Sequence, residues 1–237
     1  MSDGDGVKLF FEPFINNQGD LGVCVDLDNS RLTGIPKAVY GQRNLMGLSL
    51  KGNSIVDLPE DLVHLGRLES LTFSENGLEE LPEVVCELRE LRVLDLRGNK
   101  LKSLPKSIAN LSNLRELWLD NNEFESFPDV LCDSEIEELY LRNNKLTELP
   151  ENLSSLRCLK VLVVNGNHLS KLPDCIGNLP LLQEIWAQDN NLSDLPDAIT
   201  KLPKLKRVMV DGNQMENPPM DVCKTGVAAI KRHLGGQ

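Results

Sequence analysis

Residues 94–105 read LDLRGNKLKSLP, and residues 139–150 read LYLRNNKLTELP. The same template returns as LSLKGNSIVDLP at 48–59, LTFSENGLEELP at 71–82, LVVNGNHLSKLP at 162–173 and IWAQDNNLSDLP at 185–196. Its asparagine falls at Asn53, Asn76, Asn99, Asn122, Asn144, Asn167, Asn190 and Asn213, in steps of 23, 23, 23, 22, 23, 23 and 23 residues. An earlier copy, VDLDNSRLTGIP, carries Ser30 in that place. Six residues after each of these nine positions stands a proline: Pro36, Pro59, Pro82, Pro105, Pro128, Pro150, Pro173, Pro196 and Pro219. A fixed period of this length is the signature of a stacked-repeat architecture, in which one unit cannot bury its apolar face alone.

Each slot of the template has a physical task. In LxLxxN the alternate apolar residues, such as Leu94 and Leu96, point inward from a short strand, and the strands of successive repeats stack in parallel. The asparagine amide offers both donors and acceptors, suited to buried backbone groups where the chain turns. Proline fixes φ and removes an amide the returning segment need not donate. That segment carries apolar residues three apart, as in Ile108, Leu111 and Leu114, which fits a 3₁₀ or short helical turn. The single 22-residue step leaves the return around 132–136 one residue short, so a local irregularity is expected there.

The pattern LxxLxLxxNxLxxLP resembles a leucine-rich repeat of the 23-residue intracellular kind over roughly residues 21–219. The LP step and the closing NPPMDVCKTGVAAIKRHL are similar to the Ras-suppressor and Scribble/Erbin-like group. The expected fold is therefore α/β: a leucine-rich-repeat solenoid with a parallel β-sheet on its concave face and 3₁₀ or short helical turns on its convex face. Nine repeats at 21–219 form one domain. An N-terminal cap at 1–20 precedes them, with Phe10, Phe11, Phe14 and Ile15 covering the open core. A C-terminal capping helix at 220–237 follows, with Cys223, Val227, Ile230 and Leu234 at helical spacing.

Composition limits the function. Lys and Arg total 25 against 36 Asp and Glu, a net charge of -11. Nucleic-acid binders draw most of their affinity from a basic face, so this balance argues against one, and equally against docking on anionic lipid. No apolar run is long enough for a signal peptide or a membrane span. The six cysteines form no CxxC and are widely spaced, which favours reduced thiols and a cytoplasmic protein. Cys86 and Arg92 match the CxxxxxR spacing of tyrosine phosphatases. The intervening ELREL has no glycine for a phosphate-cradling loop, and Leu88 and Leu91 fall on core positions. His64, His168 and His233 occupy unrelated repeat positions, so no metal site is expected, nor any cofactor, nor catalysis.

Function in such an array is sought on the outward side chains of the strands. Four places before the asparagine the column reads Asp26, Ser49, Thr72, Asp95, Trp118, Tyr140, Val163, Trp186 and Met209. Both tryptophans of the protein stand in it, three repeats and so about 15 Å apart at strand spacing. Trp and Tyr dominate protein–protein hot spots, and an exposed apolar stripe usually marks an interaction site. Alternatively, the rings only pack on one another along the ladder. The strand faces of the first four repeats carry four acids and four bases, whereas the next four carry six acids (Glu116, Asp120, Glu123, Glu138, Glu184, Asp189) against Arg142 and Lys145. The candidate partner-binding set is thus Trp118, Tyr140, Val163, Trp186 and Met209 with Glu116, Asp120, Glu138, Arg142, Glu184 and Asp189. The expected partner is another protein with an apolar surface rimmed by basic residues, bound by a monomer. The resemblance implies a scaffold or adaptor in signalling. A stand-alone innate-immune protein that binds microbial surface components is the other reading the family allows, and the acidic face disfavours phosphate-bearing ligands for it.

Overall fold

The computed structural model describes residues 10–15 and 21–236. They divide into two compact units, 1–114 and 115–237. In the first, strand β1 (Phe10–Ile15) runs antiparallel to β2 (Leu21–Asp26), pairing Phe10 with Asp26 and Ile15 with Leu21. Strands β3 (Leu45–Ser49), β4 (Ser70–Thr72) and β5 (Val93–Asp95) then add in parallel, one per repeat. The expected covering of the core by Phe10, Phe11, Phe14 and Ile15 lies outside the described side chains.

The second unit repeats the plan. Strands β6 (Glu116–Trp118), β7 (Glu138–Tyr140), β8 (Val161–Val163), β9 (Glu184–Trp186) and β10 (Arg207–Met209) are parallel and in register, each pairing with the next. The fold is the expected repeat solenoid: parallel strands on one side and short 3₁₀ turns on the return. Those turns, such as Glu83–Glu87, Lys106–Asn110 and Asp174–Asn178, begin directly after the repeated proline. Its φ lies between -60° and -72° at Pro82, Pro105 and Pro173, and its carbonyl accepts the first turn bond, as from Ile108 N at 3.1 Å. Proline supplies the right φ at a position whose own amide has no partner to serve. The inward leucines pack as their spacing demands: Leu94 and Leu96 are fully buried, and so nearly are Ile108, Leu111 and Leu114.

The asparagines form the ladder that closes the turns. Asn144 donates through Nδ2 to the carbonyls of Leu119 and Leu141, both at 3.0 Å, and accepts the amide of Phe124 at 3.1 Å. Asn167, Asn190 and Asn213 repeat this, each bridging its own strand to the preceding one. One amide thereby satisfies donors and acceptors that the turn would otherwise bury unpaired.

The residue immediately before the asparagine is left-handed in every repeat, a feature the sequence reading did not extract. Asn29, Gly52, Glu75, Gly98, Asn121, Asn143, Gly166, Asp189 and Gly212 all have φ between 52° and 74°. Where this slot is glycine, the space of its missing side chain is filled from the repeat before: a Cβ on Gly212 would stand 2.2 Å from Asp189 Oδ1. Where two side chains follow each other, Asn143 Nδ2 donates to Asn121 Oδ1 at 2.9 Å.

Two local departures have clear causes. The return after Pro128 makes a 3₁₀ turn of only three residues, Asp129–Leu131, in place of five, which absorbs the missing residue while Cys132 and Ile136 stay buried. The C-terminal segment is not one helix but two, α1 (Met220–Thr225) and α2 (Val227–Leu234). They are divided at Gly226, whose φ of 108° ends the first and starts the second. Cys223 and Ile230 are buried, and α2 packs against the 3₁₀ turn Asp197–Lys201.

Candidate functional site

Residues two apart on a strand project to the same face, so Glu116, Glu138 and Glu184 stand beside Trp118, Tyr140 and Trp186. The parallel register sets these pairs abreast: Trp118 opposite Tyr140, Tyr140 opposite Val163, Val163 opposite Trp186, and Trp186 opposite Met209. The five outward residues therefore form one continuous cross-strand row within the second unit. All five are half-buried, because each shields its neighbours; among the described residues the large apolar ones with high exposure are Val56 and Val63, which lie elsewhere.

Each carboxylate is tied to the ring two residues on. Tyr140 Oη donates to Glu138 Oε2 at 2.5 Å, Trp186 Nε1 donates to Glu184 Oε2 at 2.9 Å, and Trp118 bonds to Glu116. The repeated triplets ELW, ELY and EIW were the signal for this, legible from strand periodicity alone. Trp118 and Tyr140 stack face to face, with centroids 3.8 Å apart and planes 6° from parallel. The Arg207 guanidinium lies over Trp186, 5.4 Å from the ring centre, and pairs with Glu184 at 3.2 Å. Arg207 has no role in the sequence reading; its place over Trp186 follows from the structure.

The charges are not equivalent. Glu123 is paired with Lys145 at 3.4 Å and Glu184 with Arg207. Asp120 is buried and accepts the Arg142 amide at 2.6 Å, the same use that Asp28 makes of the Lys51 amide at 2.9 Å, so its carboxylate serves the turn. Arg142 and Asp189 are exposed. Glu116 and Glu138 face each other across β6 and β7. Burial pushes the Glu116 carboxyl above its ordinary value, the Glu138 and Glu137 charges add to this, and the Trp118 hydrogen bond opposes it. Burial, and then the hydrogen bond to Glu138, push the Tyr140 phenol far up as well.

Cys86, the phosphatase-like cysteine, lies in the 3₁₀ turn Glu83–Glu87 with no exposed surface. Burial raises its thiol, the hydrogen bond with Ser107 opposes this, and Glu83 and then Glu87 add to the rise. That is the opposite of an activated nucleophile.

Comparison with known proteins agrees with this architecture. Family models for a leucine-rich repeat region and for paired leucine-rich repeats match residues 20–136 and 134–178. No curated protein matches the sequence significantly. Among solved structures, a leucine-rich-repeat protein of Leptospira interrogans is 29% identical, with a TM-score of 0.64, covering 78% of this chain and 59% of its own. The Arabidopsis receptor kinase HAESA, solved with the peptide hormone IDA and the co-receptor SERK1, is 27% identical with a TM-score of 0.71, covering 84% of this chain and 35% of its own. The plant peptide hormone receptor RGFR1, solved with RGF2, is 28% identical with a TM-score of 0.67, covering 85% and 33%. The chain thus spans about three fifths of the bacterial protein and about a third of these plant receptors.

Proposed function

Because the chain is a leucine-rich repeat protein, we propose that it is a non-enzymatic interaction module that binds a partner protein on the strand face of its second unit. The observation carrying this reading is the unbroken row Trp118, Tyr140, Val163, Trp186 and Met209. Three aromatic side chains in one row, two of them tryptophan, concentrate on one surface the residue types that supply most interface energy. Glu116, Glu138, Glu184, Asp189 and Arg142 rim the row. Asp120 belongs to the set through the Arg142 backbone it holds. The similar plant receptors were solved with peptide hormones, which is in keeping with a peptide or protein ligand here.

The proposed setting is a scaffold or adaptor in the cytoplasm, acting as a monomer in the manner of the Ras-suppressor and Scribble/Erbin-like group. All six cysteines are free thiols. Burial raises the thiols of Cys86, Cys132, Cys175 and Cys223, that of Cys132 to about 11, so they remain protonated and slow to oxidise. Among the described residues no helix is long and apolar enough to cross a membrane.

Affinity capture from cytosolic extract tests the surface, comparing wild type with Trp118→Ala/Trp186→Ala. The variant is expected to keep its circular dichroism and to lose the proteins that wild type retains. Identical captures would remove the binding role from this row, and an unfolded variant would show that the rings serve the core instead.

A further inference from the structure

The aromatic row is interrupted by one small residue, and its two flanks are already occupied on their outer sides. Trp118 covers the β6 side of Tyr140 in a near-parallel stack, so the ring normal runs from strand to strand and the second Tyr140 face is turned to β8. Arg207, on β10, lies over Trp186, so the second face of that ring is also turned to β8. Between them stand only Val161 and Val163. Two strand spacings separate Tyr140 from Trp186, about 9.5 Å. A planar group held at van der Waals distance from two rings needs about 7–8 Å. The lane therefore admits one flat side chain lying on valine, with an aromatic wall on either hand.

Its lip is acidic. Glu138 uses Oε2 for the Tyr140 hydroxyl, and Glu184 uses Oε2 for both Trp186 and Arg207. Among the described residues no hydrogen bond or ion pair engages Oε1 of either carboxylate. The chain itself shows what such a pair accepts: Arg207 satisfies Glu184 and the outer face of Trp186 with one guanidinium. No basic residue of the second unit makes the corresponding ion pair with Glu138 among the described residues.

We propose that the lane between Tyr140 and Trp186, floored by Val161 and Val163 and lipped by Glu138 and Glu184, receives an arginine side chain of the partner protein. The planar guanidinium stacks between the rings while its edge donates to the two carboxylates, a combination that the compact, strongly hydrated ammonium of lysine matches poorly. This rests on the strand face being the binding face, and it assigns that face its specificity.

The test is a ¹H–¹⁵N titration of the full chain with N-acetyl-Gly-Arg-Gly-amide and with its citrulline counterpart, which keeps the shape and removes the charge. The indole resonance of Trp186 is identified by its loss in Trp186→Phe. Expected are a saturable shift of that resonance with the arginine peptide, binding at least about tenfold weaker for citrulline, and a similar drop in affinity for Glu138→Gln/Glu184→Gln. No saturable shift, equal binding of citrulline, or indifference to the double glutamine variant overturns the proposal. Capture from extract separates the two levels. Partners lost from Trp118→Ala/Trp186→Ala but fully retained by Glu138→Gln/Glu184→Gln would remove the arginine lane and leave the binding face standing. Partners retained by both variants would remove the face itself.

Discussion

Asn144 sits 6% exposed and serves three buried backbone groups at once, on Leu119, Leu141 and Phe124. Truncation leaves the Phe124 amide without its partner, at a cost of about 1–3 kcal/mol, whereas the carbonyls of Leu119 and Leu141 keep the amides of Asn122 and Asn167. Asn144→Ala is accordingly expected to destabilise the protein by about 1–3 kcal/mol in urea unfolding. Glu116 offers a prediction of the opposite sign. Its carboxyl titrates above the ordinary value of 4.5, first through burial and then through Glu138. A raised acid favours the folded state when protonated; that contribution is present below about 4.5 and is lost as pH rises through the higher folded value. Glu116→Gln should therefore stabilise the protein at pH 7 and make no difference below pH 4. The gain at pH 7 is below about 1 kcal/mol, because the half-exposed site is screened by solvent. Thermal unfolding of the two proteins at both pH values checks the sign.

At the scale of single elements, much was legible beforehand. Period and proline gave the alternation of strand and return turn, and the one 22-residue step pointed to an irregular return at 132–136; the shortened turn lies just before that, at Asp129–Leu131. What was lost in reading was direction and conformation. The triplets ELW, ELY and EIW carry their hydrogen bonds in plain view once strand alternation is applied, but side-chain pairing across 23 residues, such as Arg207 on Trp186, depends on which way a long side chain turns. Asp120 looked like a surface charge because its spacing faces outward, and only the backbone amide of Arg142 within reach makes it a turn residue. The C-terminal helix was expected whole since Cys223, Val227, Ile230 and Leu234 keep helical spacing, yet Gly226 in their midst takes φ of 108°. Ile230 is fully buried, on the helix α2 that packs against the turn Asp197–Lys201. Ile230→Ala is expected to cost about 2–5 kcal/mol, the range for removing buried methylenes. Hydrogen exchange should show the loss first in β10 and the turn Asp197–Lys201, the nearest neighbours in a chain of repeats.

On the scale of the whole molecule, the net charge of -11 sets how fast a basic partner arrives and the aromatic row sets how long it stays. Surface-plasmon measurements with a captured partner are expected to show an association rate falling about tenfold or more between low and physiological salt, with the dissociation rate changing less. A rate indifferent to salt would mean that the acidic rim takes no part in recognition. The left-handed column bears on how such a chain lengthens and shortens. Gly212 has no side chain because Asp189 lies across it, and Gly166 gives way in the same manner to Asn143. From Asn143 onward, then, a bulky member and its yielding successor form a couplet of two repeats, whereas Asn121 and Asn143 stand side by side and are joined by a hydrogen bond. Duplicating the Asp189 repeat alone would press carboxylate against carboxylate at a spot where the backbone already restricts the residue. Copying the couplet of Asp189 with Gly212 leaves each junction as it was, so this part of the array can lengthen by a pair of repeats with no new contact in the column.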